Sequence, residues 1–244
     1  ADSAGKRLLL AFALAVLLLF CALPLAAVLV QAAQAGGSWQ VLWEEETRLA
    51  AWNTLRFTAT AVAAALALGI SHAALARRLP WIRGITFLPF MVSPVCVAFG
   101  ILLLYPEWTA SLPLLTATYA LLAYPFVTKD LLAAWDALPP QYAAAARSMG
   151  ANRFQTACYV TAPLLLPAMR RGLTLAAATC IGEFAATLFL SRPEWLTLTT
   201  LIYQYLGTAG AENHDRAMVL TAALMMLAAA VFVLLDAAER EKAV

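Results

Sequence analysis

Between Leu8 and Val30 the chain carries no charged residue. As a helix rising about 1.5 Å per residue, this run reaches roughly 34 Å, enough to cross a hydrocarbon layer of about 30 Å. Such a layer offers no water to backbone N–H and C=O groups, so the run has to pair them within its own helix. A cleaved leader is the rival reading, since Lys6 and Arg7 precede the run and Ala32-Ala33-Gln34-Ala35 follows it. Leaders have apolar cores of only ~7 to 15 residues, which favours a span.

Comparable runs recur at Phe57–Ala76, Gly84–Tyr105, Leu112–Ala134, Pro163–Leu190 and Ala217–Leu235. The expected fold class is therefore all-α, a polytopic membrane protein of six spans forming one transmembrane domain over residues 1–244. A polar segment near 137–162 separates the fourth span from the fifth. Composition agrees, with 63% hydrophobic residues, 12% charged and a mean hydropathy of +0.78, well outside the range of a soluble domain. The lipid bilayer is the first partner, and a net charge of +2 gives no electrostatic case for nucleic acid.

Cytoplasmic loops retain Lys and Arg. With the N-terminus inside, the cytoplasmic segments collect Lys6, Arg7, Arg77, Arg78, Arg83, Lys129, Arg147, Arg153, Arg170, Arg171, Arg240 and Lys242, twelve of the sixteen cations. The outer side keeps Arg48, Arg56, Arg192 and Arg216, the acids Glu44, Glu45 and Glu46, and Trp39, Trp43, Trp52 and Trp108 as an interfacial belt. Both termini are expected in the cytoplasm, and so is the polar segment. From Tyr142 that segment runs through the helix-forming Ala143 to Ala146, meets Gly150, and re-enters apolar sequence past Pro163 and Pro167. The pattern predicts a short helix, a left-handed glycine turn and a second helix on the cytoplasmic surface. By shape alone it suits either a grip for a cytoplasmic partner or an amphipathic connector resting on the bilayer.

Ala145-Ala146, three residues, Gly150, nine residues and Val160-Thr161-Ala162-Pro163 resemble the EAA signature of the membrane subunits of type I ABC importers, which reads E-A-A, three residues, G, nine residues, I, one residue, L-P. "WNTLRFTATAVAAALALGISHAALARR", "LPFMVSPVCVAFGILLLY" and "GEFAATLFLSRPEWLTLTTLIYQYLG" are also similar to that family, so the resemblance runs from Asn53 to Leu235. Two positions depart from it: Ala144 stands where the glutamate belongs and Ala162 where the leucine belongs. Losing the carboxylate removes a charge-assisted contact, which puts the strength of the grip in doubt. A full second copy of the motif elsewhere in a complex would compensate. The chain begins at Ala1, and similar sequences often form the second half of a fused, duplicated permease.

The resemblance implies a permease in the bacterial inner membrane that encloses a path with a second permease half, identical, different or fused. Its cytoplasmic helix, about Gln141 to Gln155, would engage a separate ABC ATPase, with Tyr142, Ala145, Ala146, Arg147, Ser148, Gly150, Arg153, Phe154 and Pro163 as coupling residues. An external substrate-binding protein would dock near Trp39 to Trp52 and Arg192 to Arg216. ATP and Mg²⁺ would belong to the ATPase. This chain has no G-x-x-x-x-G-K-[ST] loop, so no cofactor, metal or catalytic residue of its own is expected. The resemblance leaves the cargo among ferric iron, thiamine, phosphonates and oxyanions such as molybdate and sulfate, leaning to iron and thiamine.

Within the candidate path, Glu183 is the one acid deep in an expected span, and unpaired it would cost several kcal/mol or more. Gly172, Ala176, Thr179, Glu183 and Thr187 follow at helical spacing and predict one face of small and polar residues at a helix interface. Glu183 is either a hydrogen-bonded structural carboxyl there or a gating residue. Pro89, Ser93 and Pro94 predict a bend, serving packing or the path. Arg192 and Glu194 read as a surface pair of little consequence. Cys21, Cys96, Cys158 and Cys180 show no C-x-x-C spacing, and His72 and His214 fall on opposite sides. No G-x-S-x-G or H-E-x-x-H motif supports an enzyme. The remaining alternative, an ion-coupled secondary transporter using Glu183, gives the polar segment no task.

Overall fold

The computed structural model describes the backbone of residues 2–240 and the side chains of residues 5–89 and 91–235. Lys242 and the side chain of Arg240, counted above among the cytoplasmic cations, lie outside the described residues. Helix α1 (Asp2–Gln34) leads through a tight 3₁₀ segment, Gly36–Trp43, into α2 (Glu45–Arg78). Three short helices follow, α3 (Ile82–Ile85), α4 (Leu88–Met91) and α5 (Pro94–Leu104), then α6 (Leu112–Ala137), α7 (Pro140–Ser148) and α8 (Arg153–Thr156). The chain ends with α9 (Ala162–Ile181), α10 (Ala185–Leu190), α11 (Leu198–Gly207) and α12 (Ala211–Arg240). Gly5–Gln34, Glu45–Arg78, Arg153–Ile181 and Ala211–Leu235 are long and apolar enough to cross a bilayer.

Two of the expected spans are not single helices. The stretch 84–105 is divided among the end of α3, α4 and α5, because its prolines open helices where a bend was expected. Pro89 lies in the first turn of α4 and Pro94 is the first residue of α5, positions where the missing N–H costs nothing. The ring of Pro94 holds Ser93 at ψ 133°, out of the helical region. The stretch 163–190 is interrupted between Ile181 and Ala185.

The chain packs as two compact units, Ala1–Arg48 with Leu201–Met226, and Leu49–Thr200 with Leu227–Val244. In the first, Arg216 is the polar hub. Its guanidinium lies 3.1 Å from Glu44 Oε1 and 2.9 Å from Glu212 Oε1, and Tyr205 donates its hydroxyl to Glu44. The Trp39 indole N–H donates to the Ala32 carbonyl at 2.8 Å, closing the turn after α1.

In the second unit, α6 lies against α9 and α2, around a core of Phe57, Ala61, Ala65, Leu115, Tyr119, Ala123, Val127, Ala176 and Cys180. Small residues dominate because apolar side chains gain little from leaving lipid, so close backbone approach and dispersion hold membrane helices together. The approach is tightest at Val127. A Cβ added at Gly69 would come within 2.8 Å of the Val127 side chain, and one added at Gly172 within 2.7 Å of the Val127 Cα. At one edge, Arg83 forks onto Asp136 at 2.7 and 3.0 Å, tying α3 to the end of α6. Arg192 lies 5.3 Å over the Trp195 ring.

These contacts separate two glycine substitutions. Gly172→Ala meets backbone and should lower stability by about 1–3 kcal/mol, with no recovery on adding Val127→Ala. Gly69→Ala meets only a side chain, and Val127→Ala should restore it; thermal unfolding of the purified chain in detergent reads both.

Candidate functional site

Helix α7 opens on Pro140, preceded by Pro139 in an extended conformation, so the chain leaves α6 through a stiff corner. It closes on Gly150 at φ +87°. The Gly150 N–H donates to the Arg147 carbonyl at 3.0 Å and the Ala151 N–H to the Ala146 carbonyl at 3.1 Å, the paired bonds of a Schellman C-cap. The turn predicted at Gly150 is therefore formed. Asn152 then caps α8, accepting from the Gln155 N–H at 2.8 Å while the Gln155 side chain accepts from the Asn152 N–H at 2.9 Å, a reciprocal capping box.

The second helix was expected to lie on the surface apart from the following span. Instead α8 passes into α9 through a wide π-turn, Ala157–Thr161, and Arg153–Ile181 forms one continuous helix. Pro163 explains the widening. It has no N–H for the Tyr159 carbonyl four residues back, and in the widened turn Ala162 donates to Ala157, five residues back. Of the expected coupling residues, Ala146 is buried. Ala145, Arg147, Ser148, Arg153 and Pro163 are exposed. Tyr142 is 48% exposed and Phe154 75%, with Met149 between them at 83%.

The helix break at Gly182–Phe184 is built around Glu183. Glu183, 8% exposed, accepts through its side chain from the Ala186 N–H at 3.0 Å. The side chain thus caps the start of α10. Its backbone carbonyl, orphaned by the break, accepts from Thr199 Oγ1 at 3.0 Å and Tyr119 OH at 3.3 Å. Tyr119 is also bonded to Thr187. The expected continuous face is corrected accordingly: Gly172, Ala176 and Thr179 belong to α9, Thr187 belongs to α10, and the break between them resets the helical phase. Gly172 packs on α6, whereas the Thr179 hydroxyl bonds back to the Leu175 carbonyl at 2.9 Å. Pro89 lies on α4, Pro94 opens α5, and Ser93 is the residue between those helices that precedes Pro94.

Sequence reading missed a second clamp. Asn53, 1% exposed, donates to the carbonyls of Glu194 and Leu196 at 2.9 Å each, and Thr54 Oγ1 accepts from the Leu198 N–H at 3.0 Å. The signal was there, since an Asn-Thr pair inside an apolar helix needs partners.

Residues 62–238 match the family described as binding-protein-dependent transport system inner membrane component. The chain is 28% identical over 255 residues to the sulfate transport system permease protein CysT of Escherichia coli strain K12, covering 91% of this chain and 90% of that one. It is 27% identical over 164 residues to the molybdenum transport system permease protein ModB of Haemophilus influenzae, covering 60% and 72%. Among solved structures, a bacterial alginate ABC transporter in complex with a periplasmic protein bound to an alginate pentasaccharide shares the fold, with a TM-score of 0.75 at 20% identity over 98% of this chain and 96% of that one.

A capping role at Glu183 predicts an ordering of variants. Glu183→Gln keeps a side-chain oxygen for the Ala186 N–H and should leave assembly and uptake near normal. Glu183→Ala leaves buried N–H groups unmet, at a cost of about 1–3 kcal/mol, and should lower the melting temperature in detergent. Severe loss of uptake by a well-assembled Gln variant would assign Glu183 to the path.

Proposed function

The chain belongs to the binding-protein-dependent transport system inner membrane components, the permease subunits of ABC importers, and from that premise we propose how it is coupled and what it carries. ATP hydrolysis lies on a separate ABC ATPase, which holds ATP and Mg²⁺, and this chain contributes no catalytic residue. The observation that carries this reading is the α7–Gly150–α8 element. It is capped at both ends of its turn and leaves Tyr142, Met149 and Phe154 exposed. An amphipathic helix of this kind suits a hydrophobic groove on a soluble partner. Closure of the ATPase pair would press on this element and shift the membrane helices between inward-open and outward-open states.

The cation distribution supports cytoplasmic placement of this element and of both termini. On the outer side, exposed Trp43 and the cleft of about 240 Å³ lined by Gly37, Ser38, Gln40, Val41, Glu212 and Arg216 would receive a substrate-binding protein. The alginate transporter of like fold is itself described with a periplasmic protein. A second permease half completes the path. For cargo, the relatives named for sulfate and molybdenum favour a tetrahedral oxyanion over the iron and thiamine lean of the sequence alone. The ion-coupled alternative loses its residue, because the Glu183 carboxylate is committed to backbone N–H groups.

The test is to purify the complex from its native membrane under gentle detergent and identify every co-purifying chain by mass, for wild type and Gly150→Val. A β-branched residue at φ +87° is strained by at least about 1–2 kcal/mol and should unseat the turn without affecting insertion. An ATPase retained by wild type and lost by the variant is the expected result. Retention by neither, or equally by both, would remove the coupling role.

A further inference from the structure

A cleft of about 420 Å³ opens where the ends of α2 and α6 meet α7 and α8, and Arg77, Trp135, Arg147, Arg153, Thr156 and Thr161 are among its lining residues. Its volume lies within the ~300–1,000 Å³ of small-ligand sites. Three guanidinium groups reach it from three different helices, and no acid lines it. Beside the cleft, Asp136 is forked by Arg83, whose hydrogen bond, with a weaker attraction from Arg77, holds that carboxyl below the usual carboxylate range. Arg77 is set by stacking 4.7 Å over the Trp135 ring. Arg147 spends its Nε on the Ala143 carbonyl at 3.1 Å, which leaves its two Nη groups for another acceptor. Among the described residues, no carboxylate forms an ion pair with Arg77, Arg147 or Arg153.

We propose that this cleft binds a phosphate-type oxyanion, which bridges α2, α7 and α8 and sets the stiffness of the π-turn beside it. Like charges brought together in a partly enclosed space repel, and a tetrahedral anion converts that repulsion into charge-assisted hydrogen bonds matched to the guanidinium fork. Two sources share this chemistry, an inner-leaflet phospholipid headgroup and a free anion. A basic pocket at the cytoplasmic end of membrane helices suits the headgroup. The site shares Arg147 and Arg153 with the expected coupling residues but leaves the exposed apolar stripe free: Pro140, Ala143 and Arg147 form the cleft stripe of α7, whereas Tyr142 and Met149, seven residues apart, lie on another stripe. Only the choice of leaflet rests on the orientation given above.

The test uses the full chain alone, so its outcome is independent of any ATPase. Native mass spectrometry would count phosphatidylglycerol retained from mixed micelles with phosphatidylcholine. Melting in phosphatidylcholine alone would be followed against inorganic phosphate at constant ionic strength. Arg77→Gln/Arg153→Gln is compared with the charge-matched control Arg7→Gln/Arg78→Gln. The expected result is one preferentially retained phosphatidylglycerol, weakened about ten-fold or more in the cleft variant and unchanged in the control. Stabilisation by inorganic phosphate with the same dependence on variant would instead identify a free-anion source for the same site. Equal loss in both double variants would reduce the effect to net charge and overturn the proposal, as would wild type showing neither lipid preference nor phosphate stabilisation.

Discussion

A backbone group left unpaired in hydrocarbon has no water to turn to, and that constraint organises the second packing unit. The break between α9 and α10 exposes carbonyls at one helix end and N–H groups at the next start. Glu183 meets both needs, its side chain accepting from α10 while its own carbonyl receives Thr199 and Tyr119. The irregular segment 194–198 is handled in the same way, with Asn53 and Thr54 of α2 reaching across to its carbonyls and its N–H. Each polar residue buried at these places answers a specific orphan, and removing one leaves a cost with no compensating solvent.

Close packing makes those long-range bonds reachable. Gly69 and Gly172 let α2 and α9 approach α6 at Val127, and this short separation leaves Thr128 Oγ1 3.5 Å from the Gly69 carbonyl. A bulky residue at either glycine would widen the bundle locally, and the reach of the Thr128 hydroxyl to the Gly69 carbonyl depends on that spacing. Packing and polar satisfaction are therefore one problem here, unlike a soluble core, where apolar burial dominates and polar pairing follows.

Much of this was legible in the sequence, and the parts that were not share a cause. Gly150 was readable because its signal is local: alanines before it, a polar residue pattern after it, and a φ that only glycine takes without strain. The breaks at Ser93 and at Gly182–Phe184 were not, since hydropathy averages over a window and an apolar run looks the same whether its helix is whole or divided. Pro89 and Pro94 were seen but read as bends, because proline at a helix start and proline inside a helix differ only in what precedes them. Glu183 stands out in the sequence as an acid costly to leave unpaired. Its partners were backbone groups created by a break that periodicity assumed away, which is why it was placed on a continuous face.

The path from α7 to α9 is built from joints of unequal kind. Between α7 and α8 every backbone N–H from Met149 to Asn152 has an acceptor, through the Schellman bonds at Gly150 and the box at Asn152 and Gln155, which fixes the geometry of that corner. Past Thr156 the ladder changes register, with the Ala162 N–H donating five residues back to Ala157 in the π-turn before Pro163. The π-turn thus stands between that fixed corner and the long helix α9, whose far end is the break capped by Glu183. Under the coupling proposed for α7, a rotation entering there would meet the π-turn first and then a joint held by side-chain hydrogen bonds.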